Sequence, residues 1–168
     1  MDAEQLRAAQ TPLKQKYKVQ PEQAQWVLKA DGSLHQSRLT CHIETGVSKV
    51  EAGLHPATGG DGKDACSGDM LLESLAACAG VTLTTVATAL GITLTKGDVH
   101  VEGDLDFRGT LGVSKEVPVG FSNIRLRFDI ESNVTPEQLS SLIKLTERYC
   151  VIYQTLRQPP NISVTINS

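Results

Sequence analysis

At 168 residues the chain is long enough for one domain with a sizeable core, and 40% hydrophobic against 21% charged residues is an ordinary soluble composition. A formal net charge of −3, with no run of Lys and Arg interleaved with aromatics, excludes long-range attraction for nucleic acid or anionic membranes. Four cysteines are too few for a disulfide scaffold, and Met1-Asp-Ala-Glu-Gln-Leu-Arg lacks the basic and apolar regions of a secretory signal, so a reducing cytoplasm is the expected compartment.

Residues 1–24 read as a partly helical lead-in around Leu6, Leu13 and Tyr17, broken by Pro12, and residues 25–168 as the folded domain. Gln25 to Ala30 is a strand candidate, and Asp31-Gly32 a turn that joins it to a run from Ser33 to Glu44. That run alternates loosely, with Leu39, Cys41 and Ile43 on one face and Arg38, Thr40 and His42 on the other. Val47 to Leu54 is a further strand candidate, and residues 55–66 are a loop by composition, without the spacing of a phosphate loop.

A long helix is predicted from Ser67 as N-cap, with Asp69 in its first turn, to about Leu90, where Gly91 can take the left-handed cap and Ile92 can pack back. No charged residue lies between Ser74 and Thr95, which is about the length of a membrane-spanning helix. Thr82, Thr84, Thr85, Thr88 and Thr93, with Gly80 and Gly91, dilute its apolarity, so a helix buried on all sides of a soluble fold is expected. Val99, Val101, Leu105 and Phe107, then Ile124, Leu126, Phe128 and Ile130, alternate as strands. Thr135, Pro136 and Gln138 spell a capping box before a second helix carrying Leu139, Leu142, Ile143, Thr146, Tyr149, Cys150 and Tyr153 at helical spacing. Pro159-Pro160 ends it, and Ile162, Val164 and Ile166 alternate as a closing strand. Antiparallel strands with two buried helices define an α+β class.

Each long helix carries one cysteine deep in its apolar pattern, Cys78 in the first and Cys150 in the second. Two such thiols can form a reacting and resolving pair, or be two small core residues, since cysteine is among the most often buried residue types. Cys78 lies roughly 15 Å from the start of its helix, beyond the reach of that helix's dipole. A reactive Cys78 therefore needs a positive group from elsewhere, because burial alone raises a thiol's pKa. Arg38 is the only arginine between Arg7 and Cys78, and is otherwise an ordinary solvated strand residue. Cys66, just ahead of the N-cap, is a second nucleophile candidate, while Cys41 reads as packing. Cys41, His42, His55 and Cys66 lack zinc-ligand spacing, and no dinucleotide fingerprint occurs, so neither metal nor cofactor is expected.

The pattern Gly-Asp-Met-Leu-Leu-Glu-Ser-Leu-Ala-Ala-Cys78 with Thr82-Leu83, followed some seventy residues later by Arg-Tyr-Cys150, resembles the OsmC/Ohr family over about residues 25–168. The resemblance implies an intertwined homodimer whose antiparallel sheets wrap two central helices, with active sites at the subunit interface. It implies reduction of organic hydroperoxides or hydrogen peroxide by a cysteine pair and a thiol reductant, with Cys78 in the peroxidatic and Cys150 in the resolving position. The family's activating arginine comes from an early strand, and Arg38 matches it by position. Active members typically place a glutamate ten residues before the reacting cysteine to hold that arginine. Here Gly68 stands there, and Asp69 beside it is the nearest carboxylate. Val151 follows Cys150 where the family often has proline. Two other roles stay open: a module binding a small hydrophobic molecule in a pocket lined by Leu75, Thr82 and Tyr149, and a sulfur-handling role of Cys66 with Cys78.

Overall fold

The computed structural model describes residues 1–132 and 134–167. Six strands and five helices follow in the order α1 (Ala3–Val19), β1 (Asp31–His35), β2 (Thr40–Glu44), β3 (Lys49–Gly53), β4 (Ala65–Cys66), α2 (Ser67–Ala89), β5 (Leu94–Asp104), α3 (Phe107–Thr110), β6 (Asn123–Ser132), α4 (Pro136–Tyr149) and α5 (Val151–Arg157), among the described residues. They make two compact units interleaved along the sequence. The first comprises Met1–Leu6, Ser74–His100 and Arg127–Ser168, and the second Arg7–Glu73 and Val101–Leu126. The expected α+β class holds.

In the second unit β1, β2 and β3 form an antiparallel meander, and β4 adds to β3 in parallel. The first hairpin differs from the sequence reading. Asp31 and Gly32 open β1 and pair with Glu44 and Ile43, and the reversal falls at residues 36–39 instead. The Arg38 amide donates to the His35 carbonyl, and Leu39 closes the turn at φ 54, a left-handed conformation unusual for leucine. Arg38 is thus a turn residue, and residues 25–30 are exposed and outside the sheet. On the face expected to be polar, Thr40 is nevertheless buried, and its hydroxyl and the half-buried His42 ring both bond the Glu51 carboxylate across to β3. That pairing is what allows polar groups to sit there.

The first unit holds the apolar core. Leu83, Val86, Ala87, Ile92 and Leu142 are its buried centre, with Leu94, Phe128, Ile130, Ile143 and Leu145 packed against them. Each such leucine or isoleucine removed from water contributes about 1.5–3 kcal/mol. The core helix α2 ends as expected, with Gly91 at φ 70 and the Ile92 amide donating back to the Ala87 carbonyl at 2.9 Å. It is not buried on all sides, however. Leu75, Ala79, Leu83, Val86 and Ala87 line one face, while Val81 on the other is 67% exposed. By length and apolarity α2 is the one helix among the described residues that could cross a membrane, as the core helix of a soluble protein also can.

Three further elements depart from the pattern read in the sequence. Pro12 does not break α1, which runs through it as an exposed helix whose carbonyls are open to water. Phe107 does not extend β5, because Asp106 caps the short helix α3 by accepting from the Arg108 amide. Ile162, Val164 and Ile166 form no strand: they are 87%, 84% and 88% exposed, in a segment with no partner among the described residues.

Candidate functional site: a thiol pair at a helix joint

The capping box forms as the sequence spells it, the Gln138 amide donating to the Thr135 hydroxyl and the Thr135 amide to the Gln138 side chain. From there α4 runs to Tyr149 and stops. Cys150 takes φ −73 and ψ 109, an extended conformation that ends α4 and serves as N-cap of α5. The helix expected to pass unbroken through Cys150 is therefore two helices with the cysteine at their joint.

The break changes the hydrogen bonding in a way that matters for sulfur. The Cys150 amide still donates to Thr146, and the Cys150 carbonyl accepts from Gln154 as the first bond of α5. The Glu147 carbonyl, which Val151 would have bonded in a continuous helix, takes the Gln154 side-chain amide at 2.7 Å instead. That leaves the first amides of α5 without helical acceptors. Those of Val151 and Ile152 are aimed at the Cys78 sulfur.

Cys78 reaches this joint from α2, with Thr82 one turn further along the same helix face. Burial pushes the Cys78 thiol up. Hydrogen bonds from the Ile152 amide, the Cys150 thiol, the Val151 amide and the Thr82 hydroxyl outweigh it, leaving Cys78 below the ordinary thiol range. Cys150 moves the other way. Burial raises it, and the proton it shares with Cys78 and the negative charge there raise it further, with the Tyr153 and Ile152 amides offsetting part. Of the two, Cys78 is therefore the thiol that ionises more readily and Cys150 the one that keeps its proton. Both cysteines are unlinked, and Cys150 is 1% exposed while Cys78 is half-buried.

The other expected residues belong to the second unit. Arg38 is an exposed turn residue whose guanidinium lies 3.6 Å from the Asp64 carboxylate. Asp69 sits exposed in the first turn of α2 and makes no ion pair among the described residues. The carboxylate beside Arg38 is therefore Asp64, five residues before Asp69. Gly68 faces the Phe121 ring and the Cys66 sulfur: a Cβ added there would meet them at 3.5 and 3.6 Å. Cys66 is half-buried in β4, paired with Gly53, and Cys41 lies in β2 opposite Leu34. No group of three metal-ligating side chains occurs among the described residues. Of the residues expected to line an apolar pocket, Leu75 is 2% exposed and belongs to the core, and Tyr149 lines an open groove.

Sequence reasoning asked for a cation to lower Cys78 and did not foresee the amides of the α4–α5 joint, which lower it as well. The run Arg-Tyr-Cys-Val-Ile contains no glycine or proline to mark a break, so the joint left no signal.

The class the structure defines is an α+β chain of two units in which two long helices bring a pair of thiols together. Residues 60–165 match the family model described as OsmC-like protein, and the chain belongs to that family. No curated protein matches it in sequence. Among solved structures, an OsmC-like protein from Mycoplasma pneumoniae aligns with a TM-score of 0.65 and 21% identity, over 80% of this chain and 89% of that one. An organic hydroperoxide resistance protein from Elizabethkingia anophelis aligns with 0.63 and 18%, over 80% and 91%. One from Legionella pneumophila aligns with 0.61 and 20%, over 79% and 90%. At these identities the likeness speaks for the fold.

Proposed function

We propose that the protein reduces hydroperoxides, with Cys78 as the attacking thiolate and Cys150 as the resolving thiol. The observation that carries this reading is the asymmetry of the pair: amide and hydroxyl donors lower the Cys78 thiol, while burial and its neighbour raise that of Cys150. The Cys78 thiolate attacks one peroxide oxygen, the O–O bond breaks, and the departing alkoxide takes a proton to become an alcohol. Cys150 then attacks the resulting sulfenic acid sulfur, releasing water and forming the Cys78–Cys150 disulfide. Two equivalents of a thiol reductant return both sulfurs to the reduced state. Similarity to proteins named for organic hydroperoxide resistance supports the choice of peroxide as oxidant.

In this reading Arg38 stabilises charge on the leaving oxygen, as the resemblance implies, with Asp64 or Asp69 orienting it. A reducing, cytoplasmic setting and a homodimer complete the proposal. The test is to treat the reduced protein with one equivalent of cumene hydroperoxide, count thiols, and map linked peptides by mass spectrometry. Loss of two thiols with a Cys78–Cys150 linkage is the expected result. Retention of all four thiols, or a linkage through Cys66, would overturn it.

A further inference from the structure

Resting on that reading, we propose that the α4–α5 joint is also the docking site of the reductant: a small, carboxylate-bearing thiol whose acid end is held by Lys144, Arg148 and Arg157 and whose sulfur attacks Cys150.

An open groove of about 450 Å³ runs along the joint, lined in part by Arg148, Tyr149, Cys150, Val151 and Gln154. Cys150 is at its floor. The side chains flanking it, Tyr149 and Val151, are 58% and 67% exposed, so they can swing aside without disturbing the core. Next to it, sharing Arg148 and Gln154, is a polar pocket of about 310 Å³ lined by Lys144, Glu147, Arg148 and Arg157 among others. Three cations there face a single carboxylate. None of the three forms an ion pair among the described residues, although most other arginines in the chain do. Two guanidiniums are instead held over aromatic rings, Arg148 at 5.5 Å from the Tyr149 centroid and Arg157 at 5.9 Å from that of Tyr153. Arg157 also donates from Nη1 to the Tyr153 hydroxyl at 3.4 Å, which fixes its position, and guanidiniums so held without a carboxylate partner are suited to one.

The chemistry selects the same sulfur. In thiol–disulfide exchange the better leaving group is the sulfur that is more stable as an anion. Attack at Cys150 breaks the Cys78–Cys150 bond and places the electron pair on Cys78, where the Val151 and Ile152 amides and the Thr82 hydroxyl receive it. The reductant is then joined to Cys150 as a mixed disulfide. A second reductant thiolate attacks the reductant's own sulfur, Cys150 leaves and takes a proton, and the reductant departs as its disulfide. Two thiols are oxidised and one protein disulfide is reduced.

The experiment makes the protein disulfide with diamide, so that its result does not depend on peroxide turnover. Reduction is followed with 3-mercaptopropionate, which carries a carboxylate, and with neutral 2-mercaptoethanol. The mixed disulfide is trapped with acid and located by peptide mass spectrometry. The adduct is expected on Cys150. In the Arg148→Gln/Arg157→Gln variant the ratio of the two rate constants, acidic over neutral thiol, should fall about tenfold. An adduct on Cys78, an unchanged ratio, or failure of diamide to link Cys78 with Cys150 would each overturn the inference. A protein that is inert to peroxide yet gives the Cys150 adduct and the altered ratio keeps this site and loses the peroxidase reading.

Discussion

Every group that lowers Cys78 is an uncharged hydrogen-bond donor, and three of the four come from the Cys150 joint. The fourth, the Thr82 hydroxyl, is the one that can be removed with the least change of shape, since valine has nearly the same volume and the same branching. Replacing Thr82 by valine should move the Cys78 pKa upward, because the thiolate loses a donor while burial is unchanged. Only the thiolate is alkylated, so reactivity rises with pH through that pKa. In the parent protein the rise should be centred below that of an unperturbed thiol, because the donors outweigh burial. In Thr82→Val it should sit at higher pH, with slower reaction near neutrality and the same plateau in alkali. Iodoacetamide labelling of the Cys78 peptide across pH reads this directly. Superimposable profiles would mean that the hydroxyl does not reach the sulfur. The expectation that Cys78 needs a positive group was sound in its physics, because a buried thiol does need compensation. An arginine such as Arg38 is visible in a sequence, whereas an amide freed by a helix break is not.

At the scale of elements, what could be read in advance follows a simple division. Features set by local chemistry were legible: the Thr135–Gln138 capping box, the Gly91 stop, and the alternation of β5 and β6. Features set by what a segment meets in space were not. Residues 25–30 and 162–166 have strand composition but no strand partner among the described residues. Leu39 accepts a left-handed turn that its side chain disfavours, and α4 and α5 share one unbroken helical periodicity. The joint itself suggests a test. Cys150 is already extended, as a residue before proline prefers, and Val151 is the first residue of α5, where proline is favoured. The preset backbone favours Val151→Pro while loss of the amide bonded to Cys78 opposes it, so the two should nearly offset and the urea midpoint should shift by no more than about 1 kcal/mol in stability. The substitution deletes one of the two amides aimed at Cys78, so the alkylation profile should shift to higher pH while the fold persists. A fall well beyond that would show that the joint does not accept proline and depends on Val151 itself.

For the molecule as a whole, the unexplained quantity is exposed apolar surface. Trp26, Val27 and Leu28 are 78%, 82% and 89% exposed, and Ile162, Val164 and Ile166 show strand alternation without a ladder. The outer face of α2 adds Val81. Singly exposed hydrophobics are ordinary, but successive ones in two segments of strand composition mark surface that is covered in use. The proposed homodimer would cover it, because a two-fold arrangement lets each unpaired segment find a partner edge. Sedimentation equilibrium should then give twice the chain mass of 18.1 kDa at micromolar concentration. Trp26 is the only tryptophan, so its emission reports the same event, shifted to the blue when the indole is covered. Ile162→Asp with Val164→Asp should lower the dimer's affinity and return Trp26 to the emission of a solvated indole. A protein that sediments as a monomer with Trp26 solvated would leave these segments exposed in solution, and a second chain could then have no part in the site.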